Sequence, residues 1–394
     1  MIAGPAQDPA PYFARLREED PVHLIPLLDA WLVTRYDDVV ALFSDARVTP
    51  DPNVYQAYDA PTGPAAERWL MRIPFRSPAS GGESLGRRLV SASLTPRAVS
   101  RLEELCREVV ERFAAPLRGR RGVVDLKKEF VDPVAATAIG RILGVPAKAD
   151  DEQRFGLLAR RATRSIRPIM SPKARRKCEQ ATIEMCEYVL GLVEERRSAP
   201  ADDMLSDLLR ASEGDASVTA DDIVKVVAGL VSAGTGTTGV ACVRALRTLF
   251  LHPEQFSTLR DDRSQLDNAI GELLRYDSGV IAMPRYVRED IEVRGRRISR
   301  GKLVVLSMLS ANRDPRVFQD PDCLDLQRDT RRSLSFGHGH HYCVGVNIAL
   351  LKMRLMLDTL LEILPPHARL LEDQIHWRAR GMLSPIGTLP VDFG

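Results

Sequence analysis

A glycine-rich loop that carries one cysteine and runs directly into an apolar helical pattern constrains this chain more than any other stretch. Residues 335–345 read Ser-Phe-Gly-His-Gly-His-His-Tyr-Cys-Val-Gly. Glycine permits tight turns and lets a flat ligand approach the backbone closely. The pattern that follows contains the apolar residues Ile348, Ala349, Leu350, Leu351 and Leu355. A helix starting there directs its free N–H groups at the sulfur of Cys343, which favours the thiolate form.

Two simpler explanations fit the same residues. An isolated cysteine in a glycine-rich loop is often a buried structural residue. A metal ion could also be held by Cys343 together with the neighbouring histidines, which are His338, His340 and His341. Structural zinc sites usually combine ligand pairs from two segments, and the sequence offers no matching second pair.

The spacing Phe-Gly-x-Gly-x-His-x-Cys-x-Gly resembles the heme-ligand signature of the cytochrome P450 family. The matched positions are Phe336, Gly337, Gly339, His341, Cys343 and Gly345. The resemblance implies that Cys343 is the axial thiolate ligand of the iron in a heme b, and that the other matched residues form the cofactor-binding loop. A thiolate ligand pushes electron density onto iron and favours O–O cleavage.

A second stretch, from Thr219 to about Leu251, predicts the longest helix of the chain. Thr219 and Asp222 have the spacing of a capping box, and Pro253 lies just beyond the helix end. The helix centre, 233–239, contains three glycines and three threonines, which weaken and bend a helix. Close helix packing on small residues explains this composition, and so does a helix disrupted to open a groove for dioxygen and water.

The same helix centre resembles the family's Ala-Gly-x-acid-Thr-Thr motif. Ala233, Gly234, Thr237 and Thr238 match, whereas Gly236 stands at the acidic position. The resemblance implies that this segment lies against the heme, that Gly236, Thr237 and Thr238 occupy the catalytic positions, and that Thr237 positions dioxygen. Because the acid is missing, the proton has to arrive through water, the substrate or another residue.

Two arginines match family positions that bind the heme propionates. They are Arg87, in the segment 83–90, and Arg285, and guanidinium suits this task because it can bind a carboxylate through two hydrogen bonds. The histidines that are usual at two nearby positions are replaced by Glu83 and Ser333. The resemblance therefore implies that the two arginines anchor the propionates.

Glu272 and Arg275 have the spacing that places two side chains on one face of a helix. They resemble the family's Glu-x-x-Arg motif, whose usual third member corresponds to Arg328. The role that the resemblance implies for these three residues is structural. The resemblance also implies a substrate pocket lined by Trp69, Met71, Ile281, Ala282, Met283, Met382 and Leu383.

Composition excludes several classes of protein. The net charge of the 394 residues is only +2, and the basic run near residue 170 has no interleaved aromatic platform, so we expect no nucleic-acid partner. The six cysteines lack paired spacing, which favours a reducing cytoplasm. No signal peptide and no uninterrupted apolar stretch of about 18 residues is present, so we expect no membrane span.

The sequence as a whole predicts a mainly α-helical single domain, 1–394, with small β-sheets and a heme between the long central helix and the helix after the cysteine loop. By resemblance it is a monooxygenase-type oxidoreductase that activates dioxygen to hydroxylate or epoxidise a secondary metabolite. Oxidative C–C or C–N coupling of aromatic substrates, such as cyclic dipeptides or phenols, is an alternative. A heme-based sensor or binding protein is a non-enzymatic one.

The chain has no reductase domain of its own, so we expect electrons from NAD(P)H to reach it through a reductase and a ferredoxin. A basic docking surface for that ferredoxin is predicted near the cysteine, at Arg328, Arg331, Arg332, Lys352 and Arg354. The expected state is a cytoplasmic monomer that acts on a small organic molecule.

Overall fold

The structure is a computed structural model that describes residues 9–58, 60–70, 84–162, 171–377 and 386–394. Most of these residues are helical. The helices are α1 (Ala10–Glu19), α2 (Tyr36–Ser44), α3 (Pro64–Trp69), α4 (Leu85–Val90), α5 (Pro96–Ser100), α6 (Glu103–Ala114), α7 (Asp132–Ile142), α8 (Ala149–Ala162), α9 (Pro172–Ser198), α10 (Met204–Ala211), α11 (Ala220–Leu251), α12 (Pro253–Asp261), α13 (Leu266–Tyr276), α14 (Met308–Ala311) and α15 (Val346–Ile363).

The strands are short and form small sheets beside the helices. They are β1 (Val22–Ile25), β2 (Ala30–Val33), β3 (Val48–Thr49), β4 (Val123–Asp125), β5 (Met283–Val287), β6 (Ile291–Val293), β7 (Arg296–Ile298), β8 (Leu303–Leu306), β9 (Arg369–Leu370) and β10 (Pro390–Asp392). The largest sheet has the order β1-β2-β8-β5-β3, with β2 and β8 parallel. It places Arg285 of β5 opposite Val304 of β8. The prediction of a mainly α-helical fold with small sheets is confirmed.

Helix α11 runs through the main core and packs against α7, α9 and α15. The predicted capping box is present, because the Thr219 side chain accepts from the Asp222 N–H and the Asp222 side chain accepts from the Thr219 N–H. The prediction of a disrupted helix centre is wrong, since the helix is continuous from Ala220 to Leu251. The Thr235 hydroxyl donates to the Val231 carbonyl at 2.8 Å, so this side chain supplements the helix without breaking it.

Among the described residues, α11 is also the one helix long and apolar enough to cross a membrane by length and composition alone. Of its most apolar window, 56% is buried inside the protein. It carries the buried charged residues Lys225 and Arg244, and other helices cover it on several sides. These contacts are those of a core helix.

The end of the chain forms a three-stranded sheet of order β4-β10-β9. Strand β10 pairs with β4 and with β9. Trp377 forms an antiparallel bridge with Ile386. Met382 and Leu383, which the sequence places between these two residues, lie outside the described residues.

Candidate active site

Backbone hydrogen bonds and two left-handed glycines shape the cysteine loop. The N–H of Cys343 donates to the Phe336 carbonyl at 2.9 Å, which closes the loop on itself. Gly337 and Gly339 have φ angles of 78° and 67°, a region that other residues rarely adopt. A Cβ at Gly339 would also lie 3.2 Å from the Ser44 hydroxyl oxygen at the end of α2. The glycines predicted from the sequence are therefore needed for this turn.

Helix α15 begins at Val346, directly after the loop, with Gly345 as its N-cap residue. Burial raises the pKa of the Cys343 thiol, whereas a hydrogen bond from the Gly345 N–H and the charge of Arg87 lower it. The helix start does direct an N–H at the sulfur, as predicted, but burial outweighs it in the chain alone. A bound metal cation would reverse this balance, because it deprotonates a coordinating thiol.

Two arginines lie close to His341 of the loop. Arg87 of α4 donates through Nη2 to the Tyr342 carbonyl, immediately before the cysteine. Arg285 of β5 is 2% exposed; its guanidinium donates to the Pro284 carbonyl at 2.9 Å and lies 4.9 Å from the ring centre of Phe43. Burial, followed by the charges of Arg285 and Arg87, lowers the pKa of His341 to about 4.

These basic groups fit a cofactor that carries carboxylates. In the described part of the chain no carboxylate pairs with Arg285 or Arg87, and burial lowers the pKa of Arg285 to about 10. A buried cation without a counter-ion is unfavourable, and an anionic ligand would remove that cost. The Ser333 hydroxyl lies 2.8 Å from that of Ser335. Glu83 lies outside the described residues.

The centre of α11 exposes one stripe of its surface. Ala233 is exposed, and Gly234, Gly236 and Thr237 are partly exposed, although the helix is buried on either side of them. The Thr237 hydroxyl donates to the Ala233 carbonyl, so its oxygen stays free to accept a hydrogen bond. Thr238, which the sequence also suggested as catalytic, is 3% exposed and belongs to the buried side.

Glu272 and Arg275, which are fully buried, form one cluster with the partly buried Arg328. The Nε of Arg275 lies 2.6 Å from the Glu272 carboxylate, and the Nε of Arg328 lies 3.1 Å from it. Arg275 also donates to the carbonyls of Asn312 and Pro321, at 2.7 and 3.0 Å. The cluster thereby ties α13 to the segment that leads into the cysteine loop.

The predicted pocket residues are only partly brought together. Trp69 is 5% exposed and belongs to the main core, and Ala282 is 8% exposed. Ile281 packs against a separate cluster of Phe13, Leu16, Leu32 and Leu309, and Met283 packs against the core beside the largest sheet. Met71, Met382 and Leu383 lie outside the described residues.

The predicted docking surface is wrong in one of its members, because Lys352 is 1% exposed. Arg328 is partly exposed, and its Nε lies 3.1 Å from the Glu272 carboxylate. Arg354 lies 2.8 Å from Glu103, and Arg331 lies 2.6 Å from Asp329, so neither is a free cation. Helical spacing could have revealed Lys352, because it follows Ile348 by four residues and so falls on the same buried face.

Comparison with known proteins identifies the class. The chain combines a mainly helical fold with a cysteine loop that leads directly into a helix. Beside the loop lies a basic cluster that fits a cofactor with carboxylates. This is the construction of a heme-thiolate protein. The family model described as Cytochrome P450 matches residues 84–365. The chain therefore belongs to the cytochrome P450 family, whose members use heme and dioxygen. Bacterial members typically receive electrons through ferredoxin and reductase partners.

Its relatives are bacterial enzymes. The 6-deoxyerythronolide B hydroxylase of Saccharopolyspora erythraea is 34% identical, over 96% of this chain and 94% of that protein. The epothilone C/D epoxidase of Sorangium cellulosum is 30% identical, over 92% and 87%. The solved structure of the bacillaene polyketide synthase cytochrome P450 PksS of Bacillus subtilis is 28% identical, covers both chains fully and has a TM-score of 0.86.

These relatives confirm the prediction of a monooxygenase-type oxidoreductase. The prediction that the family hydroxylates or epoxidises secondary metabolites is confirmed as well, since a hydroxylase and an epoxidase are among them. They give no support to the alternative of a heme-based sensor.

Proposed function

We propose that this cytochrome P450 hydroxylates or epoxidises a polyketide-type secondary metabolite. The relative named for polyketide biosynthesis, PksS of Bacillus subtilis, supports this substrate class, and the hydroxylase and the epoxidase among the relatives support the reaction. In this proposal residues 1–394 act as one domain, as a monomer in the cytoplasm. A ferredoxin supplies the electrons.

Each predicted site residue has one task in the proposal. Cys343 ligates the iron, and the N–H of Gly345 moderates the charge on the sulfur. Arg87 and Arg285 bind the propionates, one from α4 and the other from β5. In the proposal the exposed stripe Ala233–Thr237 lines the groove that receives dioxygen. The Thr237 hydroxyl, which donates to the Ala233 carbonyl, accepts a hydrogen bond from a water molecule beside the dioxygen. When bound, the heme supplies reductive activation of dioxygen.

The single observation that carries the proposal is the buried guanidinium of Arg285. It is 2% exposed, and no carboxylate of the described residues pairs with it. Because an unpaired buried cation destabilises a protein, its presence beside the cysteine loop indicates a missing anionic partner. A heme propionate supplies that partner.

The test begins with the reduced, carbon monoxide-bound protein. The red-shifted Soret band of thiolate ligation is expected, and it should be lost in Cys343→His while that variant still binds heme. The matched control is Cys323→Ser, an exposed cysteine whose loss should leave the band unchanged. Folded wild-type protein without the band would contradict the proposal.

Substrate class is tested by titrating polyketide macrolactones, phenols and cyclic dipeptides into the ferric enzyme. Compounds that displace the iron-bound water shift the spectrum, and turnover of the binders gives the reaction. A product heavier by one oxygen supports the proposal. A product lighter by two hydrogens would replace it with oxidative coupling.

A further inference from the structure

Lys352 is a buried lysine whose ammonium group reaches the centre of α11. It lies on α15, is 1% exposed, and donates through Nζ to the Gly234 carbonyl at 2.9 Å. An ammonium group has three donors, and in the described part of the chain no carboxylate pairs with this one. Burying such a charge is costly, so its location beside the exposed stripe needs a specific reason.

The exposed stripe of α11 contains no acid. No aspartate or glutamate occurs in this helix after Asp222. The Thr237 hydroxyl donates its hydrogen bond to the Ala233 carbonyl. It can therefore pass a proton on only after another group has supplied one to its oxygen. Lys352 is bonded to Gly234, which lies three residues before Thr237 and therefore on the adjacent turn.

The surroundings of Lys352 leave its charge largely uncompensated. From α6 it faces Cys106, whose pKa burial raises to about 11, so that this thiol stays neutral. Glu103 on the same helix lies 2.8 Å from Arg354 and is committed to it. The facing segment of α11, 231–238, has no titratable residue. On α13, Glu272 and Arg275 are paired with each other.

We propose that Lys352 holds and delivers protons to the groove along Ala233–Thr237, in place of the acid that position 236 lacks. The inference rests on the proposed function, in which that groove receives dioxygen. An N–H bond of the ammonium breaks, and the proton passes to water in the groove or to the Thr237 oxygen. The electron pair stays on Nζ, and solvent later returns a proton. Lys352 is thus a positioning residue that acts through its neighbours.

Burial also adjusts the acidity of Lys352 for this task. It lowers the pKa of the ammonium group to about 8, against the ordinary value of 10.5. A general acid is most effective when its pKa lies near the working pH. An arginine at the same place would keep the charge but would not release a proton.

The first test measures the titration of Lys352 directly. The chain has eight lysines, so holoenzyme with ¹³C-labelled lysine gives few Cε signals, and the diamagnetic ferrous carbon monoxide form keeps them sharp. The signal missing in Lys352→Arg belongs to Lys352. A midpoint near pH 8 is expected, whereas a midpoint at the ordinary lysine value would overturn the proposal.

The second test measures peroxide released per electron consumed. Lys352→Met and Lys352→Arg should each release several-fold more peroxide, and adding Gly236→Asp to Lys352→Met should bring the value back towards wild type. The matched control is Lys225→Met, since Lys225 is a buried lysine on α11 nine residues before Gly234. Wild-type coupling in either Lys352 variant would overturn the proposal. If both variants fail to bind heme, the ¹³C titration of the wild-type enzyme decides, and its Lys352 signal is then the one that remains after the other seven lysines have been assigned by substitution with arginine.

Thr237→Ala separates this inference from the proposed function. If Thr237→Ala releases more peroxide and Lys352→Met does not, only the role of Lys352 is wrong. If neither variant changes coupling, the groove itself has no part in oxygen handling. That second outcome contradicts the site assigned under the proposed function as well.

Discussion

The Nε of Arg275 lies 2.6 Å from Oε2 of Glu272, and neither side chain is exposed to solvent. The Nη1 group of Arg275 donates to two backbone carbonyls in the segment before the cysteine loop. The buried pair therefore stabilises the segment that leads into the loop. We expect its loss to disturb the position of the loop, although neither residue reaches the site.

Glu272→Gln should destabilise the protein by about 3–5 kcal/mol, because it leaves Arg275 as a buried charge without a partner. Urea unfolding of the variant measures the loss, and heme release should be faster. The control is Arg107→Gln, which removes an exposed pair with Glu103 and should cost about 0.5 kcal/mol or less. Equal losses of unfolding free energy in the two variants would contradict the stabilising role of the Glu272–Arg275 pair.

Arg285→Met should make the heme-free chain more stable but should weaken the binding of heme. Removing an unpaired buried cation should stabilise the heme-free chain, by about 1–3 kcal/mol. The same change should speed heme release, since a propionate loses its partner. Heme transfer to apomyoglobin and unfolding of the heme-free chain measure the two effects.

Arg244→Met is the matched control for that experiment, because Arg244 is buried but paired with Asp277. It should destabilise the heme-free chain. If Arg285→Met does the same, Arg285 has a partner within the chain and the argument for an anionic cofactor fails.

Stability should depend on pH through Lys352. Its pKa is about 8 in the folded protein and 10.5 when unperturbed. Between these values the unfolded chain binds more protons, so stability contributed by this group rises with pH, by roughly 3 kcal/mol in total. Below pH 8 both states are protonated and the cost of burying the charge is fully present.

The measurement is the difference in unfolding free energy between wild type and Lys352→Met at pH 7 and pH 10. Groups common to both proteins cancel in that difference. The unfolding free energy of the wild type should rise relative to that of the variant as the pH increases. A difference that does not depend on pH would contradict the lowered pKa of Lys352.

Gly339→Ala should destabilise the cysteine loop by about 1–3 kcal/mol, because φ is 67° and the added Cβ meets the Ser44 hydroxyl and the Phe43 carbonyl. The control is Gly345→Ala, where φ is −91° and the chain leaves open space. Its effect on the stability of the heme-free chain should be small. Equal destabilisation by both variants would show that the turn does not depend on Gly339.

The amino-acid sequence was enough to identify the family, the cysteine loop, the capping box of α11 and the residues Glu272, Arg275 and Arg328. Each of these depends on spacing along the chain, and local spacing survives folding unchanged. The glycines of the loop could also be identified from the sequence, because a left-handed turn requires glycine wherever the turn lies in the fold.

Which charged groups are buried could not be predicted from the spacing along the chain and became clear from the fold. Lys352 was expected on the surface and lies in the core, and Thr238 was expected beside Thr237 but belongs to the buried side of α11. The helix centre stays continuous because packing against α7, α9 and α15 outweighs the weak helix propensity of its glycines and threonines. Burial is set by what other helices cover, and that depends on contacts between residues far apart in the chain.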